Sequence, residues 1–318
     1  MSNAGGRPPR IVVVGSYAVG LVMRTARVPA RGETVLGRGF QMMDGGKGSN
    51  QAIACARLGA DTTFLAAVGD DAHGDAALAL LRREGVDVTH VRCVVGVPTG
   101  VGFIMVDDDG NNAIAVDLGA NLLLSCDDID RAEGAIAAAD VLLAQLEIAP
   151  EVALYAAAVA HRHGVRTILN PAPARQLPDD GLAHVDMLTP NLSEAQTLSG
   201  LESADPEDLA SALRRTGVGG VVVTMGEGGA CIVDRDGARV VPAYRVTAVD
   251  TTGAGDAFSG ALAVSVAEGA NLDEAVSFGC AAGGYSVRSL GTVPSYATRS
   301  QLASFVSEQQ PVAAGGVR

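Results

Sequence analysis

No tryptophan occurs among the 318 residues, and aromatic side chains amount to 3% of the chain. An interior built on stacked rings is therefore excluded. With 48% hydrophobic residues, the core must be filled by Ala, Val, Leu and Ile, a set that suits helices packed on parallel strands. The five cysteines, Cys55, Cys93, Cys126, Cys231 and Cys280, never form a CxxC pair, so zinc and dithiol chemistry lack their usual spacing. They are expected to be reduced thiols of a cytoplasmic protein. No apolar run approaches the roughly 20 residues of a membrane span, and Ile11–Gly15 is too short for a signal segment. Basic clusters are missing outside the first ten residues, and the formal charge is −13, so neither nucleic acid nor membrane is an expected partner. Any anionic ligand must be held by local devices.

What is present is alternation. Short β-branched runs at Ile11–Val14, Thr63–Val68, Val141–Leu146, Arg166–Leu169, Met187–Thr189 and Val221–Thr224 read as strands. Segments of helical period lie between and after them, at Lys47–Leu58, Ala72–Glu84, Pro150–His163, Leu192–Ser199, Pro206–Thr216 and Gly255–Ala267. This rhythm predicts an α/β fold with a mostly parallel sheet covered on both faces. Thr34–Met42, Thr99–Val106 and Asn112–Val116 break it. The last two flank Asp109-Gly110, a hairpin turn signal, and the acidic run Asp107–Asp109 lacks the Gly and Glu positions of a calcium loop. These strands have no helices to cover them and predict a small sheet that serves as a lid or an oligomer contact. The expected layout is a tail at 1–10, a single domain at 11–310 with lid strands from about 16–44 and 97–118, and a tail at 311–318.

Two glycine clusters carry the chemistry. In Asp250–Leu262, "DTTGAGDAFSGAL", the turn Gly253-Ala254-Gly255 enters a helix and Asp256 falls in its first turn. Free backbone N–H groups there favour negative charge, so the turn can cradle a phosphoryl oxyanion. The helix end would keep Asp256 ionised, ready to take a proton from an attacking hydroxyl. A tight turn with a first-turn acid is the plainer alternative. The second cluster, "DGGKGSNQAIACARLGA" at Asp44–Ala60, opens another helix. Gly45, Gly46 and Gly48 allow close backbone approach, while Lys47 and Asn50 offer donors to hydroxyls.

Together, and in this order and spacing, the clusters resemble the signatures of the ribokinase-like, or PfkB, carbohydrate kinases. Further similarity lies in Gly32–Gly37, Gln145–Glu147, Asn170–Arg175, Thr189–Ala195 and Val221–Gly229. The resemblance implies a Rossmann-like three-layer α/β sandwich with a small β-sheet lid, and ATP-dependent phosphorylation of a sugar hydroxyl. It implies Asp256 as base, Gly253, Ala254 and Gly255 as anion hole, and Gly45, Gly46, Lys47, Asn50 and Glu147 around the sugar. Asn191, Thr224, Gly226, Gly229 and Gly255 would lie near the nucleotide. Glu194 would organise Mg²⁺ through water, its alternative role being a first-turn helix acid. Asp250, the carbonyl of Thr252 and Ser295 resemble a monovalent-cation site, as for potassium. The exposed lid edge suggests a homodimer paired through the lid.

One departure bears on the substrate. Ribokinases generally place an Asn and an Asp that reach the sugar where this chain has Ala18 and Gly20. Ribose or a related sugar is the expected acceptor, with a nucleoside, deoxy sugar, keto-sugar or sugar acid as the alternative. A non-catalytic protein that keeps the fold is disfavoured by the presence of Asp256, Lys47, Asn191 and Glu194. Met42, Met43, Phe103 and Ile104 are expected as packing or substrate-adjacent surface, and His161 and His163 as solvent-facing residues at a helix end.

Overall fold

A computed structural model describes residues 7–178 and 181–309. The expected tail at 311–318 and the first six residues of the one at 1–10 lie outside that range. Residues 7–10 are the described part of the first tail, and its Arg7 and Arg10 are both tied to Asp140, by a 2.7 Å ion pair and a 2.8 Å backbone hydrogen bond.

The strands are β1 Arg10–Val14, β2 Ala18–Thr25, β3 Gly37–Gly45, β4 Asp61–Gly69, β5 Val86–Asp87, β6 Val91–Val94, β7 Gly100–Val106 and β8 Asn112–Asp117. They continue with β9 Val141–Gln145, β10 Arg166–Asn170, β11 Met187–Leu188, β12 Gly220–Thr224, β13 Ala230–Asp234 and β14 Gly237–Val241. The helices are α1 Lys47–Arg57, α2 Ala72–Arg83, α3 Cys126–Arg131, α4 Glu133–Ala137 and α5 Pro150–Arg162. After them come α6 Leu192–Ser199, α7 Pro206–Arg214, α8 Ala254–Ala267, α9 Leu272–Ser286 and α10 Arg299–Glu308.

The large sheet runs β14-β13-β12-β11-β10-β9-β1-β4-β5, with β6 on β4. It is parallel from β12 to β5, and only β13 and β14 are antiparallel. Central β9, "VLLAQ", is buried at every position, as a strand covered on both faces must be. Two apolar clusters flank the sheet. One packs Ile11, Val13, Leu143 and Val222 against α1, α8 and α9; the other packs Val12, Val14, Leu142 and Val221 against α5 and α7. Alternate residues of the same strands thus serve opposite faces. The second sheet, β3-β2-β7-β8, has the expected hairpin at Gly110, whose φ of 85° suits glycine. Sequence periodicity does not reveal α9, α10, β13 or β14. Helix α9, "LDEAVSFGCAAGGYS", consists largely of small residues with little contrast between its faces.

Candidate active site

The site forms where α1 crosses α8 below the lid. Gly260 of α8 makes the close crossing possible: a Cβ there would lie 2.8 Å from the Ala54 Cβ and 3.1 Å from the Gln51 carbonyl. The crossing sets Asn50 and Gln51 of α1 against Asp256, two residues into α8. Asn50 Nδ2 donates to Asp256 Oδ2 and Gln51 Nε2 to Asp256 Oδ1, each at 2.9 Å. Asp256 itself is 5% exposed. Gly253 caps α8 with φ 76°, a left-handed conformation that disfavours a side chain. The Ala254 amide donates to the Thr251 carbonyl, whereas those of Gly255 and Asp256 have no partner among the described residues. The Gly253 amide likewise has none, so of the expected Gly253–Gly255 set only Ala254 is engaged.

Glu147 follows β9. Its Oε2 accepts from Ser16 Oγ at 2.6 Å and from the Lys47 amide at 2.8 Å; Oε1 has no partner among the described residues. Asn50 Oδ1 is also buried without a partner, an arrangement that normally incurs a desolvation cost. Two acceptors therefore await donors beside Asp256. Burial dominates the electrostatics and pushes the Asp256 carboxyl above the usual carboxylate range, although Lys47, Gln51 and Asn50 pull it down. Burial thus opposes the helix end that is expected to keep Asp256 ionised, because desolvation disfavours the charged form of a carboxylate. Burial also works against the Lys47 ammonium, but Asp256, Glu147 and Glu194 together hold it above its usual value.

On the far side of Asp256 a cavity of about 840 Å³ opens. Thr224, Gly226, Gly229, Ala254 and Gly255 lie on its walls with Phe258. Asn191 pairs with Thr224 in a single parallel bridge and caps α6, accepting from the Glu194 amide at 2.9 Å, while Glu194 Oε2 accepts from the Asn191 amide at 2.9 Å. The helix-acid role of Glu194 is thus realised in a capping box. Burial, added to by Asp256, also raises its carboxyl pKa despite Asn191 and Lys47.

Of the expected cation-site residues, Asp250 and Thr252 are joined directly: Asp250 accepts from the amide and hydroxyl of Thr252 at 2.9 and 2.6 Å, and it also accepts from the Gly291 amide at 2.8 Å. Ser295 Oγ donates to the Thr292 carbonyl at 2.7 Å. Among the described residues no group of three or more His, Cys, Asp or Glu side chains could hold a metal ion. His163 is bound to Glu133 at 2.8 Å, and the His161 ring lies against that of His184. All five cysteines are unpaired. Among the described residues no helix is long and apolar enough to cross a membrane.

At the lid, Tyr17 Oη donates to Asp44 Oδ1 at 2.6 Å. Val19 pairs with Asp44 and is buried on that same face, so Ala18 and Gly20 point the other way, opposite Gly45 and Met43. Sequence reasoning does not single out Ser16, Gln51 or Asn170 as site residues. Gln51 stands beside Asn50 in "KGSNQA", but adjacent helix positions point about 100° apart, and only the α8 crossing turns both toward one carboxylate.

Residues 8–299 match the pfkB family carbohydrate kinase. A ribokinase of Haemophilus influenzae is 37% identical over 299 residues, 93% of this chain and 98% of its own. A deoxyribokinase of Salmonella typhi is 36% identical over 301 residues, with the same coverage of 93% and 98%. The structure of an Arabidopsis thaliana ribokinase complexed with ribose and ATP is similar at a TM-score of 0.86 and 32% identity, covering 94% of this chain and 99% of that one. Likeness on this scale takes in both glycine clusters and every element from β1 to α9, and the chain accordingly belongs to the pfkB family of carbohydrate kinases, as an ATP-dependent kinase of the ribokinase type.

Proposed function

We propose that this kinase transfers the γ-phosphoryl of MgATP to a primary hydroxyl of ribose or a related sugar, with Asp256 as general base. The observation that carries the reading is a single buried carboxylate, held at both oxygens, between a nucleotide-sized cavity and two unpartnered acceptors. Asn50 Oδ1 and Glu147 Oε1 accept from sugar hydroxyls, and the backbone at Gly45 and Gly46 approaches the ring. Asp256, with its raised pKa, takes the proton of the attacking hydroxyl as the oxygen turns toward the phosphoryl group. The Gly253–Gly255 turn receives the oxyanion on the free amides of Gly255 and Asp256, and Lys47 balances the local negative charge. Asn191, Thr224, Gly226 and Gly229 hold the nucleotide.

Magnesium supplied with ATP would neutralise phosphate charge; Glu194, half-buried and electrostatically coupled to Asp256, is the residue that would hold it through water, and a nearby cation suits a carboxyl raised by burial. Asp250, the Thr252 carbonyl and Ser295 would hold an activating potassium. Residues 11–310 act as one unit, with the lid segments 16–44 and 97–118 closing to exclude water. The unpaired thiols suit a cytoplasmic setting.

Measuring ADP release with MgATP and potassium tests this reading. Turnover with ribose is expected, and Asp256→Asn should reduce kcat by about 10²–10⁴ with little change in nucleotide affinity. Unaltered turnover in that variant removes Asp256 from the mechanism. A second reading keeps the chemistry but changes the acceptor to a nucleoside, deoxy sugar, keto-sugar or sugar acid, and the bare positions Ala18 and Gly20 favour it. A panel in which ribose is at least tenfold poorer in kcat/KM than one of these compounds establishes it.

A further inference from the structure

We propose that Gln51 is the positioning residue for the Asp256 carboxylate, locked in place by Gln145 and Asn170. The inference rests on the reading of Asp256 as the base. Gln51 Nε2 spends both protons, one on Asp256 Oδ1 at 2.9 Å and one on Asn170 Oδ1 at 3.1 Å. Its Oε1 accepts from Gln145 Nε2. Asn170 Nδ2 in turn donates to the Thr189 carbonyl at 2.8 Å. A carboxylate only accepts, so Gln51 must present its NH₂ to Asp256 and its oxygen to Gln145, and each amide in the chain has one permitted orientation.

The anchors are rigid. Gln145 ends β9 and Asn170 ends β10, neighbouring central strands of the large sheet. Gln51 and Gln145 are fully buried and Asn170 is 7% exposed, so water offers no alternative partner. The carboxylate is thereby held from two sides of different character. Asn50 grips Oδ2 and keeps an oxygen for the substrate, whereas every polar atom of Gln51 is engaged within the protein. Gln51 therefore acts through Asp256 alone.

Other ionisable groups face Asp256 from each packed element: Lys47 from α1, Glu147 after β9, Glu194 from α6 and Tyr296 from the loop before α10. None of them replaces a lost donor at Oδ1. Removing the Gln51 amide withdraws a hydrogen bond that favours the charged form, so the acid limb of kcat must move to higher pH.

The test is Gln51→Leu, of similar volume and unable to donate, with kcat and KM measured against pH. Expected are a fall in kcat of about 10- to 100-fold at neutral pH, KM values for sugar and ATP within about twofold, and an acid limb shifted upward so that part of the loss is recovered at alkaline pH. A folded variant whose acid limb is unmoved overturns the proposal, whatever its kcat, because a merely structural role lowers activity equally at every pH. If Gln51→Leu does not fold, Gln145→Met serves instead: it leaves the donor in place without its clamp and should shift the limb less, in the same direction, and an unmoved limb again overturns the proposal. Asp256→Asn is run alongside. Full activity in that variant fails the base reading itself, whereas its inactivity with an unmoved limb in the glutamine variants fails this inference alone.

Discussion

Two aspartates show how one side chain takes opposite properties from its surroundings. Asp256 lies in the interior with two neutral amide donors, and burial raises its pKa. Asp71 also loses solvent, but it accepts from the Thr99 amide and hydroxyl at 2.8 and 2.7 Å and from the Gly74 amide at 2.8 Å, and these bonds prevail and lower its pKa. The signs of their pH effects differ accordingly. Ionising Asp256 costs stability as pH rises through its raised value. Asp71 contributes stability that is present above the ordinary aspartate value of about 3.9 and lost as pH falls through its lowered one. Asp71→Ala removes the cap of α2 and two bonds to the start of β7, and should destabilise by on the order of 2–3 kcal/mol. Thermal unfolding of both proteins measures this, with a gap that is constant near neutral pH and narrows below about pH 4.

At the scale of elements, the proposed acceptor specificity rests on β2. Tyr17 and Val19 serve the buried face, and the other face offers Ala18 and Gly20, with Gly100 and Gly102 on the neighbouring β7. A Cβ built on Gly20 meets only ordinary contacts, the nearest at 3.5 Å from Ile104 and the Met43 carbonyl. The strand therefore has room for the side chains it lacks. Restoring them as Ala18→Asn with Gly20→Asp should raise kcat/KM for ribose by about 10- to 100-fold if ribose is a poor substrate of the native chain, since a hydrogen bond to a charged group is worth about 1.5–3 kcal/mol. A gain below twofold would mean that another residue already supplies those contacts. The glycine turns before α1 and α8 are readable along the chain. The crossing at Gly260 is not: the sequence places Ala54 and Gly260 more than 200 positions apart, and nothing local reports that they touch.

For the molecule as a whole, the lid is the surface least satisfied by its own chain. Met42 and Phe103 on one face and Ile114 and Val116 on the other are each more than half exposed, on a sheet with no helix of its own. Pairing of two lids would bury them and cover the β3 and β8 edges. Light scattering at working concentration should therefore give twice the mass of one chain, 64.2 kDa from 2 × 32.1 kDa, and Phe103→Asp should return it to one; a monomeric native protein refutes the arrangement.

The amino-acid sequence by itself determined much of the local structure: that the central runs such as β1, β4, β9 and β12 become strands, where the glycine turns release helices α1 and α8, and that Asp256 stands in a first turn. Propensity, periodicity and turn chemistry act within a few residues, so they are legible there. Helices built from small residues, such as α9, leave little pattern to read. Only the tertiary structure decided that Asp256 is buried, that Ala254 alone of the Gly253–Asp256 amides is engaged among the described residues, and that Gln51, Gln145 and Asn170 converge on the Asp256 carboxylate. Those outcomes depend on desolvation and hydrogen-bond geometry between groups up to 206 positions apart, and such terms exist only once the elements have packed.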